Sequence, residues 1–448
     1  MAGKIIEMIN HIIQERSKGN SAIAEMTKAK LILKGLNPNK FDCYSDDDPI
    51  IIEKLLNIAK QLNVNKMIDK GISIKSVFST KTSEKEAVSD IKGQLNCYSP
   101  KIVIFFASSD FDQDSLCNMM QEAFKDSIVF GCSTAGEIVS GELLKNSVVA
   151  MAFNSNIVSD AKVEVIEHIK KDINLEAAFA SFENYYNESL YTMDTTKYVG
   201  IVLIDGLCMK EEMIMDLIGN RTNISFVGAS AGDNFKFLKT FVYANGNSYT
   251  DSAVLVMLKI NNNAKFNIIK TQSFKVMESI LIANKVNEET REVFEFNNKP
   301  AVLAYAEAVG SANNEDLSKY FATNPVGLLV GENDLFVRSP QRIKGTSILF
   351  YCNILKGMEV RLLKSTNIIE DTKKAIENNI NEFGRIDGII NFNCIERTLE
   401  LKKKNFEKQY AEIFKNIPTI GFSTYGEEFI GHLNQTATML VFRSETNT

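Results

Sequence analysis

The spacing of hydrophobic positions changes partway along the chain. Up to about residue 66 it is helical: Ile5, Met8, Ile9, Ile12 and Ile13 share one face of a first helix. A second amphipathic stretch starts at Ala22 and stops at Gly35 and Pro38, residues suited to ending a helix. A third starts at Asp48-Pro49, with Asp48 placed to cap and Pro49 suited to the first turn. It carries Ile51, Ile52, Leu55, Leu56 and Ala59 inward, and the run Asp46-Asp47-Asp48 compensates its dipole rather than holding a metal. Amphipathicity alone predicts that this segment packs onto the rest of the protein. The alternative is that its apolar stripes dimerise or dock a partner.

From about Ser73, short unbroken apolar runs alternate with amphipathic ones. Ile102-Val103-Ile104-Phe105-Phe106 reads as a buried strand that ends at Ser108-Ser109-Asp110, with a helix over 113–125. A strand then enters Gly131, and 147–153 supplies another. The order returns with a strand over 199–204 ending at Asp205-Gly206, a helix near 209–218, Phe226-Val227 entering Gly228, and strands over 240–243 and 253–258. It returns again with 388–394, one charged helix near 399–415, Gly421, and 438–442.

The bends themselves repeat. They read Gly131-Cys132-Ser133-Thr134-Ala135-Gly136-Glu137, Gly228-Ala229-Ser230-Ala231-Gly232-Asp233 and Gly421-Phe422-Ser423-Thr424-Tyr425-Gly426-Glu427. The second interval is about twice the first, and Gly327-Leu328-Leu329-Val330-Gly331-Glu332 looks like a degenerate copy near the missing midpoint. Repetition on this scale means duplicated supersecondary units. The expected fold is α/β (α+β mixed): strand-helix-strand-strand units forming mixed sheets covered by helices, after an N-terminal helical segment.

Bulk properties narrow the function. At 448 residues the chain exceeds a typical single core. A formal charge of −6 implies no basic surface, so neither nucleic acid nor an anionic membrane is an expected partner. No apolar run is long enough to cross a bilayer, and Glu7, Asn10, His11 and Gln14 interrupt the N-terminal stretch, so no signal peptide is expected. Seven cysteines, an odd number with no CxxC, read as reduced thiols of a cytoplasmic protein. Three histidines without HExxH or a Cys/His cluster predict no dedicated transition-metal site.

On these motifs the chain resembles the bacterial FIST (F-box and intracellular signal transduction) family, with an N-terminal and a C-terminal half. The N-terminal resemblance lies in 131–137, 147–150, Asp205-Gly206-Leu207 and 228–233. The C-terminal one lies in Pro325-Val326-Gly327, Arg338, Gly357, Asn393-Cys394-Ile395-Glu396-Arg397, 421–427, His432 and Thr436. Glu396 departs from the glycine that family members often carry before the arginine. The expected division is a helical segment 1–66, a FIST N-terminal domain 72–265 and a FIST C-terminal domain 266–448. The resemblance implies a cytoplasmic sensory input domain that binds a small ligand, with amino acids the usual suggestion, in a cleft between the halves. It also implies output partners such as a histidine kinase, cyclase or chemoreceptor. No cofactor is expected. The alternative within the family is a haem-bound nitric-oxide sensor, for which His432 would be the axial ligand.

Three strand ends, at Ser108-Ser109-Asp110, Asp205-Gly206 and 391–394, are expected to lead into helix N-termini, where unpaired amides favour an anion. An amino acid needs such a site together with an acid for its ammonium. Asp205, Asp233, Glu137 and Glu427 are candidates for the acid, and Arg338 and Arg397 for a bidentate carboxylate grip. Ser109, Cys132, Ser133, Asn393 and Tyr425 complete the expected ligand-binding set. The competing reading makes Ser109 and Asp205 helix caps, the bend glycines close-packing residues and the repeated acids braces for each bend. Cys132 and Cys394 lack a neighbouring base, and the first bend is one residue too long for a GxSxG elbow, so no enzyme is expected.

Overall fold

The computed structural model describes residues 4–17, 20–42, 45, 48–62, 64, 73–96, 98–311, 316–331 and 334–445. Cys43, Asp46, Asp47, Cys97 and Glu332 lie outside them. The N-terminal helices are Lys4–Ser17, Ser21–Leu33 and Pro49–Gln61. Asp48 caps the third through Ile50 N at 2.8 Å, as its position before Pro49 predicts. The apolar stripes do not spread over the sheets. Ile5, Ile9, Ile12, Leu31, Leu55 and Ala59 meet in a small core of their own. Three short helices can satisfy one another because each offers one apolar face.

The rest of the chain is three copies of one unit: edge strand, helix, strand, helix, strand, hairpin, strand. In the first, Ile74–Ser79, Ile102–Ser108, Ile128–Thr134 and Val148–Phe153 are the long strands, and the hairpin spans 137–144. In the second they are Val158–Glu167, Tyr198–Ile204, Phe226–Ser230 and Ser252–Ile260, with hairpin 242–249. In the third they are Ala264–Gln272, Gly388–Cys394, Thr419–Thr424 and Thr436–Ser444, with hairpin 426–433. Each unit builds a six-stranded sheet in the same order: edge strand, last strand, then the two parallel strands, then a hairpin.

That hairpin never comes from the same unit. Hairpin 242–249 of the second unit extends the first sheet, 426–433 of the third extends the second, and 137–144 of the first extends the third. The exchange closes a ring of three. The expected boundary at 265/266 falls inside Ala264–Gln272, the first strand of the third unit, and the hairpins cross it. The expected parts 72–265 and 266–448 therefore share sheets.

The bend glycines bring the two parallel strands of each unit close together. A Cβ on Gly131 would lie 1.7 Å from Phe105 O, on Gly228 1.7 Å from Val202 O, and on Gly421 2.1 Å from Asn391 O. Only glycine lets the neighbouring strand approach so closely. Backbone bonds then link the bends in a cycle. Gly232 N donates to Ser133 O at 3.0 Å, Tyr425 N to Ser230 O at 3.2 Å, and Ala135 N to Ser423 O at 3.2 Å.

Inner faces of all three sheets converge on one core that includes Ile104, Phe106, Ile201, Leu203, Phe392 and Phe422. Phe106 lies 4.6 Å from Phe422 and 6.2 Å from Phe392 between ring centroids. The alternate residues of the same strands pack under helices on the outside. Burial on both faces is why these strands read as unbroken apolar runs.

Between the first strand and first helix of the third unit lies an inserted sheet. It is built from Phe274–Asn287, Glu292–Phe296, Val326–Val330, Asp334–Arg338, Pro340–Lys344, Ser347–Phe350 and Glu359–Ser365, with helix Ala301–Val309. Its own core contains Leu281, Phe296, Tyr305, Phe350 and Val360. Gly327 sits here, paired antiparallel with Val337 and Arg361, so the degenerate copy is no fourth unit. The helix expected over 399–415 is two, Ile395–Lys404 and Glu407–Glu412. Asn405, at φ +57°, takes the left-handed conformation that ends the first.

Candidate functional site

The repeated acids hold the hairpins in place. Glu137 accepts from the Thr134 hydroxyl, from Ser147 N at 3.1 Å and from Ser147 Oγ at 2.6 Å. Glu427 does the same with the Thr424 hydroxyl, Thr436 N at 3.2 Å and Thr436 Oγ1 at 2.7 Å. Both are buried, and burial raises each carboxyl to about 7. In the second unit Asp205 takes the part, accepting from the Thr240 hydroxyl, Leu207 N at 3.0 Å and Asp251 N at 2.6 Å. Asp233 gathers the amides of Phe237, Leu238 and Lys239 at 2.9, 2.7 and 3.0 Å and accepts from Tyr425 OH at 2.5 Å.

The other expected residues are largely committed to the fold. Ser133 Oγ donates to Gly232 O at 2.8 Å and accepts from Phe241 N at 2.9 Å. Cys132 and Cys394 are buried, and burial pushes both thiols well up. Arg397 is 2% exposed and spends its guanidinium on Asn393 Oδ1 at 3.0 Å, Ser273 Oγ at 3.3 Å and Thr372 Oγ1 at 2.8 Å. It therefore cannot present a fork to a ligand. Asn393 is fully engaged with Arg397, Thr398 and Tyr410. Asp205, Arg338, Arg397 and Glu427 share no hydrogen-bond partner among the described residues, so no bonded cluster joins these four. Shallow hollows on helices Glu84–Gln94 and Pro49–Gln61 contain none of them.

Two of the three expected strand-to-helix anion sites are also absent among the described residues. Four residues separate Ser108 from the helix Gln113–Ala123, which is capped by Asp112 through Ser115 N at 2.8 Å, so Ser109 is not its cap. Asp205 is likewise set back from helix Glu211–Arg221. Only Cys394 leads straight into a helix, Ile395–Lys404. The first turns carry Asp114, Glu211, Glu212 and Glu396, which already answer the dipole.

Threefold repetition shows instead which position departs from the fold's needs. Ile138, Tyr243 and Glu428 occupy equivalent places, each opposite a repeated bend glycine. Their cross-strand partners are Leu143, Ser248 and His432. Two hairpins fill this position without charge; the third buries a Glu–His pair there, with His432 Nδ1 2.9 Å from Glu428 Oε1. Ser230 Oγ reaches Glu428 Oε1 at 3.3 Å and Glu211 Oε1 at 3.4 Å.

The inserted sheet closes over this pair. Arg291, buried, spans Glu211 at 2.6 Å and Glu212 at 2.5 Å and donates to Tyr351 O. Asn353 N donates to Glu212 Oε1 at 2.8 Å. Burial opposes charge on both Glu212 and Arg291, but Glu212 is held below its ordinary range by His432 and Arg291, and Arg291 is raised by the two glutamates. Arg338 fastens hairpin 426–433 by donating to Asn353 O at 3.0 Å and His432 O at 3.3 Å. Ser339 N donates to Asn434 Oδ1 at 3.4 Å, and the Gln435 amide to Glu396. Asn353 Oδ1, Glu428 Oε2 and Gln435 Oε1 are buried with no hydrogen-bond partner among the described residues.

This junction contains Arg338 and His432 from the expected set. Glu211, Glu212, Arg291, Cys352, Asn353 and Glu428 were not expected. Comparing the hairpins position by position would have singled out Glu428 and His432; nothing local marks Arg291 or Asn353. The junction does not fit a haem at His432. That residue is 3% exposed, and ligand atoms of Cys352 and Glu212 lie within 4.8 Å of its ring nitrogen, where the porphyrin would have to spread.

Comparison with known proteins gives the family. Residues 101–299 match the FIST N domain and residues 301–429 the FIST C domain. An uncharacterized protein of Methanocaldococcus jannaschii is 22% identical over 298 residues, 61% of this chain and 57% of that protein. The chain thus spans little more than half the length of that relative. Both matches fall on the three-unit ring and its inserted sheet, and the chain belongs to the FIST family, whose domains are signal-transduction sensory domains.

Proposed function

We propose that the protein is a non-enzymatic sensor that binds a small polar metabolite, with an amino acid the best match, where the inserted sheet meets hairpin 426–433. The observation that carries this is the set of buried acceptors without a partner at that junction, Asn353 Oδ1 and Gln435 Oε1, beside Arg338. Native interiors rarely leave such atoms unmatched. Arg338 Nη2 makes no hydrogen bond with the described residues and suits a carboxylate, while the two acceptors and Glu396 suit an ammonium. Arg338 and Glu396 would supply the arginine and the acid that an amino acid needs; of the two, only Arg338 is in the set expected from the sequence. Catalysis finds no support in Cys132, Cys394 or Ser133, whose reactive atoms are buried or bonded within the bends.

Thermal-shift screening tests the reading. A ligand at 100 times its Kd adds about 2.7 kcal/mol. Amino acids at millimolar concentration should raise the melting temperature of the native chain, and Arg338→Ala and Gln435→Ala should abolish the rise. No shift with any amino acid removes the proposal. Thiol-reactive probes that label Cys132 or Cys394 faster than a free thiol would count against the non-enzymatic part.

A second reading is that the helical segment docks an output partner such as a kinase or chemoreceptor. Ile23, Met26 and Leu33 form an exposed stripe on a helix whose Thr27 and Leu31 face the bundle core. Removing residues 1–66 should leave a soluble remainder with a changed oligomer size or partner binding. An insoluble remainder would refute it.

A further inference from the structure

We propose that Glu212, Cys352 and His432 form a site for one borderline-soft divalent metal ion, zinc or a similar late first-row ion. The donors come from three separately built parts: a helix of the second unit, the inserted sheet and the third unit's hairpin. One ligand atom from each lies within 4.8 Å of the others. Donors about 2.0–2.3 Å from a tetrahedral zinc are roughly 3.3–3.8 Å apart, so small side-chain rotations close the set. Sulfur, imidazole nitrogen and carboxylate together favour zinc over magnesium or calcium, which take oxygen.

Three further features suit a metal. His432 Nδ1 is held by Glu428 Oε1 at 2.9 Å, which leaves Nε2 to ligate, the arrangement in which a carboxylate orients a metal-binding histidine. The second oxygen of Glu428 is buried without a hydrogen-bond partner among the described residues. Glu211, Glu212 and Glu428 are buried or nearly so around His432 and Arg291, which bridges the first two, so an ion bound there would sit among three carboxyl groups. The ring of units adds an internal control, because Ile138–Leu143 and Tyr243–Ser248 fill the matching cross-strand places without acid or imidazole. The Glu428–His432 pair is therefore not required to form a hairpin.

Such an ion would tie the inserted sheet to two units of the ring at one point. It leaves a fourth coordination position for water or an incoming ligand. Its ligands differ from the residues of the amino-acid reading, which depends on Arg338, Asn353, Gln435 and Glu396, although Asn353 N also donates to Glu212.

Full-length protein, stripped with a chelator and returned to metal-free buffer without amino acids, is titrated with zinc and with cobalt. The expected result is one ion per chain and, with cobalt, a thiolate-to-metal charge-transfer band with ligand-field bands of tetrahedral intensity. Cys352→Ser should remove the charge-transfer band. Glu428→Gln, isosteric and outside the ligand set, should weaken binding about 10- to 100-fold. Cys117→Ala and Glu396→Gln should leave both readouts unchanged, so loss of the amino-acid response in Glu396→Gln separates the two sites. No stoichiometric binding by the folded native chain, or a charge-transfer band that survives Cys352→Ser, overturns the proposal.

Discussion

Glu137 permits a quantitative test of the hairpin braces. Its carboxyl is 1% exposed, and burial raises it from 4.5 to about 7 despite three donors. The unfolded chain releases this proton near pH 4.5, whereas the folded chain keeps it until about 7. Folded protein therefore binds more protons between these values, and stability is lost as pH rises through that window. At about 1.4 kcal/mol per pH unit, the loss approaches 3 kcal/mol by pH 8. Glu137→Gln removes the titration while keeping the shape. The amide carbonyl introduced there would accept both bonds from Ser147, and the Thr134 hydroxyl would turn to accept from the amide nitrogen. Urea denaturation of both proteins at pH 5, 6, 7 and 8 reads the difference. With a slope of about 3 kcal/mol per molar, the midpoint of the glutamine variant should gain about 1 M on wild type across the series. Parallel midpoints at every pH would refute the idea that burial governs this carboxyl.

Other parts of the fold carry their own expectations. Gly228→Ala should leave little soluble protein, because its Cβ would sit 1.7 Å from Val202 O in the neighbouring parallel strand; normal expression with an unchanged melting temperature would contradict the close approach of these two strands. Arg291→Ala strands Glu211 and Glu212 and should cost about 3–5 kcal/mol. Limited proteolysis should then cut within 274–365 first, and an unchanged cleavage pattern would dissociate Arg291 from holding the inserted sheet. Asn405→Ala should cost about 1 kcal/mol and Asn405→Gly almost nothing, read by thermal melting, because only the alanine is strained at φ +57°.

Much of the architecture was legible because it is encoded locally. Unbroken apolar runs such as 102–106 marked doubly buried strands, Asp48-Pro49 marked a helix start, and the recurring Gly-x-Ser bends marked repeated units. Recurrence also supplied bracing as the competing reading for Glu137 and Glu427, which were expected in the ligand-binding set, although the second unit uses Asp205 rather than its bend acid. Other features depended on partners far away in the chain. No local pattern says that hairpin 137–144 joins the sheet of residues 388–394, because hydrogen-bonding edges are alike whatever their source. Nor could local spacing show that the apolar stripes of the first three helices pack on each other, or that Gly327 belongs to an inserted sheet. The junction is the clearest case. The chain alone supplied Arg338 and His432 as candidates and mistook Arg397 for another, since a guanidinium reads the same whether its donors are free or spent. What gives the junction its chemistry is the meeting of Glu212, Arg291, Cys352 and Glu428 from four distant segments. Burial and charge at that point arise only when the ring has closed and the inserted sheet has come down on it.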